Sequence, residues 1–244
     1  MEIDIMTLFP DAIDAMLGQS ILGRAMARGL IRITAHQIRD YTTNKQKQVD
    51  DAPYGGGMGM VMNADPLYRT WQAINCAAGR RVHTIYLSPQ GRVFTQQYAR
   101  QLLARHDRFI LVCGHYEGID ERFIEECVDE EISLGDFVLT GGEIPAMAVA
   151  DAVCRLVPGV LSDAECYTEE SHFSGMLEYP QYTRPAVWHK RPVPEVLLSG
   201  HHANITDWRR AQALSRTRAK RPDMFSALEL SQKDQRLLAD LEQE

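Results

Sequence analysis

The sequence predicts an α/β fold: a parallel sheet covered by helices on both faces, followed by a small helical part. Three observations predict it. Short Ile- and Val-rich runs alternate with stretches of helical periodicity as far as residue 157, the pattern of strands joined by crossover helices. Pro158-Gly159 then ends that pattern. Beyond it, a polar stretch and four prolines precede two further helical patterns. With 244 residues, 45% hydrophobic and 24% charged, the chain is long enough to bury a core and is neither disordered nor fibrous in composition.

Taken in order, residues 1–9 and 30–39 are Ile-rich runs on either side of an amphipathic stretch. In that stretch Ile13, Met16, Leu17, Ile21, Met26 and Leu30 recur near helical spacing. Residues 82–87 and 109–113 are apolar runs of strand length, and the spacing between them predicts a helix over 95–105 capped by Thr95. Another helix is predicted over 143–157. Prolines 180, 185, 192 and 194 forbid long helices until 205–220, and Ser231 is placed to cap a last one. These breaks divide the chain into an α/β domain over 1–160, a linker over 161–176 and a helical domain over 177–244.

The amino terminus, Met1-Glu2-Ile3-Asp4, carries acids where a secretory signal carries Lys or Arg. No run approaches the ~18 apolar residues of a spanning helix. The five cysteines (76, 113, 127, 154 and 166) include no C-x-x-C pair and no zinc spacing. They read as small buried hydrophobes in a reducing compartment. The expectation is a soluble cytoplasmic protein without a membrane partner.

Net charge is −7, from 26 basic and 33 acidic residues, which points away from nucleic acid. Its distribution reverses that impression. Between Arg184 and Arg221 nine basic residues face two acids, Glu195 and Asp207, a net of +7 that leaves −14 for the rest. Nine of the remaining acids lie between Glu117 and Asp136. The basic segment is interleaved with Trp188, His189, His201, His202 and Trp208, which suits an RNA backbone with exposed bases. A solvated helix face is the alternative.

Three glycine-bearing loops follow predicted strands: Leu87-Ser88-Pro89-Gln90-Gly91, the segment from Cys113 to Asp120, and the segment from Leu134 to Glu143. Ligands of open α/β sheets lie beyond the carboxyl ends of strands, so the three loops can wall one pocket. None carries a dinucleotide or nucleoside-triphosphate glycine fingerprint; read singly, each is also an ordinary turn. A fourth glycine run, Pro53-Tyr54-Gly55-Gly56-Gly57-Met58-Gly59, follows Asp50-Asp51. It is costly to order, as functional loops often are. Arg155 lies on the otherwise apolar helix predicted over 143–157, and an Arg there is seldom buried without a partner. Glu169-Glu170-Ser171 in the linker offers adjacent carboxylates, one of which burial can tune as a general base; solvated surface acids are the plainer account.

Together these segments resemble the bacterial tRNA (guanine-N1)-methyltransferase family, TrmD, across nearly the whole chain. The resemblance runs through Leu8-Phe9-Pro10, Val49-Asp50-Asp51 and Pro53-Tyr54-Gly55-Gly56-Gly57. It continues through Tyr86-Leu87-Ser88-Pro89-Gln90-Gly91 and Tyr116-Glu117-Gly118-Ile119-Asp120-Glu121-Arg122. After the 135–143 loop it includes Pro158-Gly159-Val160-Leu161, Tyr182-Thr183-Arg184-Pro185, Val196-Leu197-Leu198-Ser199-Gly200 and Arg221-Pro222.

The resemblance implies the SPOUT methyltransferase fold, in which the glycine loops of the parallel sheet form a deep trefoil knot, plus a small all-helical carboxyl-terminal domain. It implies a homodimer with its active site at the subunit interface, S-adenosylmethionine as methyl donor and dependence on magnesium. The implied reaction methylates N1 of the guanine at tRNA position 37, beside the anticodon, and helps maintain the reading frame. Carried over by position, Tyr86, Leu87, Ser88, Pro89, Gly114 and Tyr116 contact the cofactor, with Leu134, Gly135, Asp136, Phe137, Val138, Leu139, Gly141 and Gly142. Arg155 stabilises the guanine O6, and Glu170 is the general base with Glu169 as fallback. Asp50, Tyr54, Gly55, Ser171, Arg184, Arg209 and Arg216 fall to the tRNA, and Glu117 to magnesium. Three positions depart from the family pattern: Glu170 replaces its usual Asp, His115 its usual Arg and Met58 its usual Pro.

Overall fold

A computed structural model of the chain describes residues 1–162, 167 and 170–243. The chain divides into two compact units, Met1–Ala164 and Glu165–Glu244. In the first, β1 (Glu2–Thr7) leads to α1 (Pro10–Leu17), α2 (Ser20–Ala27) and β2 (Arg32–Gln37). A short hairpin of β3 (Asp50–Asp51) and β4 (Val61–Met62) precedes α3 (Ala64–Ala78) and β5 (His83–Val93). Then come α4 (Gln96–Arg105), β6 (Arg108–Cys113), α5 (Glu121–Cys127), β7 (Glu130–Ser133) and α6 (Glu143–Cys154).

The main sheet has the order β2-β1-β6-β5-β7, and all four of its pairings are parallel. Parallel strands need crossover helices, and those helices cover both faces. The central strands are therefore apolar without alternation: Phe109 to Cys113 are all fully buried, as are Ile3, Ile5 and Met6. One charge is tolerated inside. Asp4 receives Arg108 Nε at 2.7 Å and lies 2.8 Å from His36 Nε2, tying β1 to both its neighbours. Burial pushes its carboxyl up, but these hydrogen bonds prevail and hold it below its usual range.

The expected α/β class is what the strands show, with local corrections. The amphipathic stretch over 13–30 is two helices, not one. Gly18 ends the first, and a Cβ there would sit 2.5 Å from Asp14 O, while Gly23 of the second helix touches the Gly18 carbonyl. Thr95 caps α4 as expected, accepting from Tyr98 N at 3.2 Å. The helix predicted over 143–157 ends at Cys154, with Arg155 at its cap. The supposed turn at 87–91 is extended instead: it continues β5, with a register break between Leu87 and Arg92 against β7. A Cβ on Gly91 would lie 2.5 Å from Ile132 N, so only glycine lets the two backbones run this close. The buried-cysteine reading holds for Cys113, Cys127 and Cys154, whereas Cys76 is exposed on the last turn of α3.

The second unit contains β8 (Val187–Trp188) and β9 (Arg191–Pro192), then α7 (Glu195–Leu198) and α8 (His202–Lys220). It closes with α9 (Pro222–Ser226) and α10 (Gln232–Gln243). The two-residue ladder of β8 with β9 corrects the all-helical expectation: the run of prolines favours extended chain, and the turn His189-Lys190 lets it fold back. Met176, Leu214 and Leu238 form the core, with Phe225, Leu228 and Leu230 against them.

Ser231 caps α10 as the sequence suggests, and the partner is Asp234. Asp234 N donates to Ser231 Oγ at 3.1 Å, and Ser231 N returns to Asp234 Oδ2 at 3.1 Å. Asp234 is 5% exposed and also takes both arms of Arg210, at 2.7 and 3.1 Å. Hydrogen bonds from Arg210, then Ser231, outweigh burial and hold its carboxyl far below the usual range. Because the unfolded chain binds that proton more readily, the stabilisation is present above about pH 4 and is lost as pH falls below it. Asp234→Ala is expected to cost about 2 kcal/mol in urea unfolding at pH 7, with the difference from wild type shrinking below pH 4.

Candidate active site

A cavity of about 350 Å³ opens against the middle of β5 and beyond the carboxyl ends of β6 and β7. The chain leaves β6 on one side of β5 and enters β7 on the other. That reversal splays the loops apart and leaves a crevice between them. From β5 come Tyr86, Leu87, Ser88 and Pro89; from the loop after β6, Gly114 and Tyr116 with His115 and Glu117. From the loop after β7 come Leu134, Phe137, Val138, Leu139, Gly141 and Gly142. Of the expected cofactor residues, only Gly135 and Asp136 are off the wall. They form the turn that aims Phe137: Gly135 has φ 153 and exchanges hydrogen bonds with Ser133 Oγ, and its Cα faces the Phe137 ring.

Several wall residues escaped the sequence reading. Glu121, Ile124, Glu131 and Pro145 also line the cavity. The two acids lie in the 117–136 run, which sequence alone presents as undifferentiated negative charge. Burial, then Glu131 and Glu121, push the Tyr86 hydroxyl up to about 12, so this ring stays neutral and is a donor at the cavity.

The loops meet through glycines that leave no room for side chains. A Cβ on Gly114 would fall 2.8 Å from Tyr86 Oη. One on Gly142 would fall 2.5 Å from Cys113 Cα and 3.0 Å from Gly114 N. Gly142 N donates to Gly114 O at 3.0 Å, and His115 bridges Gly141 in antiparallel fashion. Beneath them Glu143, 8% exposed, accepts from Thr7 Oγ1 at 2.6 Å and lies 2.7 Å from His115 Nε2. One buried carboxylate therefore ties the end of β1 and the loop after β6 to the start of α6.

The glycine-rich run is the tip of the β3–β4 hairpin. It is joined to the same loop, since Glu117 N donates to Met60 O and Met62 N to Gly118 O, both at 3.0 Å. Asp50 sits at the hairpin's base in β3, half-buried, while Tyr54 is fully exposed and Gly55 has φ 85. Glu117 covers Gly59, where a Cβ would meet Oε1 at 2.5 Å. Among the described residues no three His, Cys, Asp or Glu side chains gather to hold a metal ion, and no step is assigned to magnesium.

The remaining site residues fall in both units. Arg155 is half-buried at the end of α6 in the first. Glu170, half-buried, and Ser171 belong to the second, and Glu169 lies outside the described residues. The Glu170 segment is held from behind: Met176 enters the core, Leu177 N donates to Thr217 Oγ1 at 2.9 Å, and Glu178 N to Ser171 Oγ at 3.0 Å. Ser171 and Arg216 line one cavity of this unit, and Arg184 and Arg209 another.

An all-parallel sheet with a loop-walled crevice at its carboxyl edge defines a ligand-binding α/β domain; the second unit adds an arginine-rich helical one. A family profile described as tRNA (Guanine-1)-methyltransferase TrmD matches residues 1–227. The chain is 55% identical over 228 residues to a tRNA (guanine-N(1)-)-methyltransferase of Ruminiclostridium cellulolyticum, covering 93% of this chain and 97% of the relative. It is 54% identical over 245 residues to that of Chloroflexus aurantiacus, covering 99% and 96%. This chain belongs to the TrmD family. Among the described residues, no helix is long and apolar enough to cross a membrane.

Proposed function

We propose that this protein is a cytoplasmic enzyme that methylates N1 of the guanine at tRNA position 37, using S-adenosylmethionine, and so helps maintain the reading frame. The observation that carries the reading is the cavity walled by β5 and by the loops after β6 and β7, at the expected positions in a TrmD-family chain. The cofactor fits this cradle: glycine backbone at Gly114, Gly141 and Gly142 brings N–H and C=O groups close to a flat base, with Tyr116, Phe137 and Leu139 as apolar walls. S-adenosylmethionine supplies an electrophilic methyl group on a sulfonium.

The chain's own residues do the rest. Glu170 takes the N1 proton, so that the N–H bonding pair becomes available for the new N1–C bond. Arg155, a cation at every physiological pH, stabilises the negative charge that gathers on O6. Asp50, Tyr54, Gly55 and Ser171, together with Arg184, Arg209 and Arg216, hold the tRNA. Membership of the TrmD family supports the trefoil knot of a SPOUT fold. Exposed Met16 on α1 and Ile144 on α6, two helices that touch, support a homodimer that completes the active site.

The test is transfer of labelled methyl to tRNA transcripts that differ only at positions 36 and 37. Methylation is expected only with guanine at 37, and best with guanine at 36. Transfer that ignores the base at 37 would defeat the reading.

A further inference from the structure

The cavity walled by β5 and the loops after β6 and β7 is lined by three carboxylates, Glu117, Glu121 and Glu131. Among the described residues of its wall there is no Lys or Arg. Its one imidazole, His115, has Nε2 2.7 Å from Glu143, which lies outside the wall. Acids that line a crevice without a matching base give it a negative potential, and low-dielectric walls focus that field.

The three acids are not equivalent. Glu117 packs over Gly59 of the hairpin. Glu131 is half-buried on β7, in register with Tyr86 of β5, and Glu121 opens α5 just past its Asp120 cap. After burial, Glu131 and then Glu121 are what push the Tyr86 hydroxyl up, so both act on groups at this wall. Their neighbours in the acidic run are engaged elsewhere. Arg122 holds Asp120 at 2.7 Å, Arg81 holds Asp129 at 3.0 Å, and His83 lies 2.7 Å from Glu130.

A negative wall has a definite use with a sulfonium ligand. S-adenosylmethionine and its demethylated product share the adenosine, the carboxylate and the ammonium. They differ by a methyl group and one positive charge, because the electron pair of the broken S–C bond stays on sulfur. Contacts to the shared groups therefore hold donor and product alike, whereas the field of the wall separates them. Across about 8 Å, a partly exposed carboxylate favours a unit cation about threefold.

We propose that Glu121 and Glu131 set the cavity's preference for the cationic methyl donor over its uncharged-sulfur product, so that the site loosens its hold once the methyl group has gone. The proposal rests on the reading that S-adenosylmethionine binds in this cavity. The test is calorimetric titration of the full-length protein with S-adenosylmethionine and, separately, with S-adenosylhomocysteine, at fixed pH and low salt. Glu121→Gln and Glu131→Gln are each expected to lower the ratio of donor to product affinity about threefold, and the double variant about tenfold. Glutamine keeps the size and polarity of the side chain, so product affinity should stay within about twofold of wild type and report an intact cavity. Glu125→Gln, on an exposed acid of α5 outside the wall, should leave the ratio unchanged. An unchanged ratio in the double variant, an equal loss of both affinities, or the same fall for Glu125→Gln overturns the proposal. In each of those cases the wild type still binds both ligands and the cofactor reading stands. Wild-type protein that binds neither ligand defeats the cofactor reading, and this proposal with it.

Discussion

Glu170→Gln is expected to slow single-turnover methylation of tRNA by about 10²- to 10⁴-fold, the range of a general base removed from its proton. The substitution keeps the shape and hydrogen-bonding reach of the side chain, so tRNA and cofactor affinities should stay within about threefold of wild type. Its neighbourhood should also survive. The backbone at 170–178 is fastened by Met176 in the core and by Thr217 and Ser171 hydrogen bonds. Glu170→Asp restores the family's usual acid and should recover most of the rate. Rapid-quench transfer of labelled methyl at saturating tRNA reads the effect. A wild-type rate for the Gln variant would move the role to Glu169.

Gly142→Ala should weaken S-adenosylmethionine binding by at least about 100-fold, measured by calorimetric titration. Gly142 has φ −83, which alanine adopts freely, so backbone preference is not the obstacle. Space is. The new methyl would press on Cys113 Cα at 2.5 Å and Gly114 N at 3.0 Å, and backbone atoms cannot swing aside as a side chain can. Relief requires the loop after β7 to lift from the loop after β6, which breaks the hydrogen bond from Gly142 N to Gly114 O and widens the crevice. Overpacking of this kind costs about 1–3 kcal/mol of stability as well. Gly56→Ala is the control. It has open space and φ 79, so it pays local strain of about 1 kcal/mol while cofactor affinity holds. A Gly142 variant that binds within threefold of wild type would mean that these loops separate without consequence.

Legibility in the sequence tracked the physics of each feature. Strands such as Phe109 to Cys113 announce themselves because both faces are buried, and Thr95 and Ser231 because a cap is a local act between residues three apart. Most of the cavity wall was legible through the resemblance, since its loops are contiguous motifs. Glu121 and Glu131 were not: nothing in an acidic run says which members turn toward a crevice. The division of the amphipathic stretch into two helices at 10–27 was not legible, because it depends on Gly23 of the second helix packing against the Gly18 carbonyl at the end of the first. The turn at 87–91 was misread because Gly91 serves β7, a partner some 40 residues away.

The sequence by itself determined the α/β class, the family, and which loops carry candidate chemistry. Those properties reside in local periodicity and in contiguous motifs. It also located a basic segment, but not its meaning. Only the tertiary structure decided that Asp234 and Asp223 engage two of its arginines and that a hairpin with a left-handed turn at His189 and Lys190 leaves Trp188 exposed. Likewise it decided that Glu143 ties the end of β1 and the loop after β6 to the start of α6, beneath the cavity. Charge pairing and close approach depend on which residues meet across the fold, and distance along the chain carries no record of that.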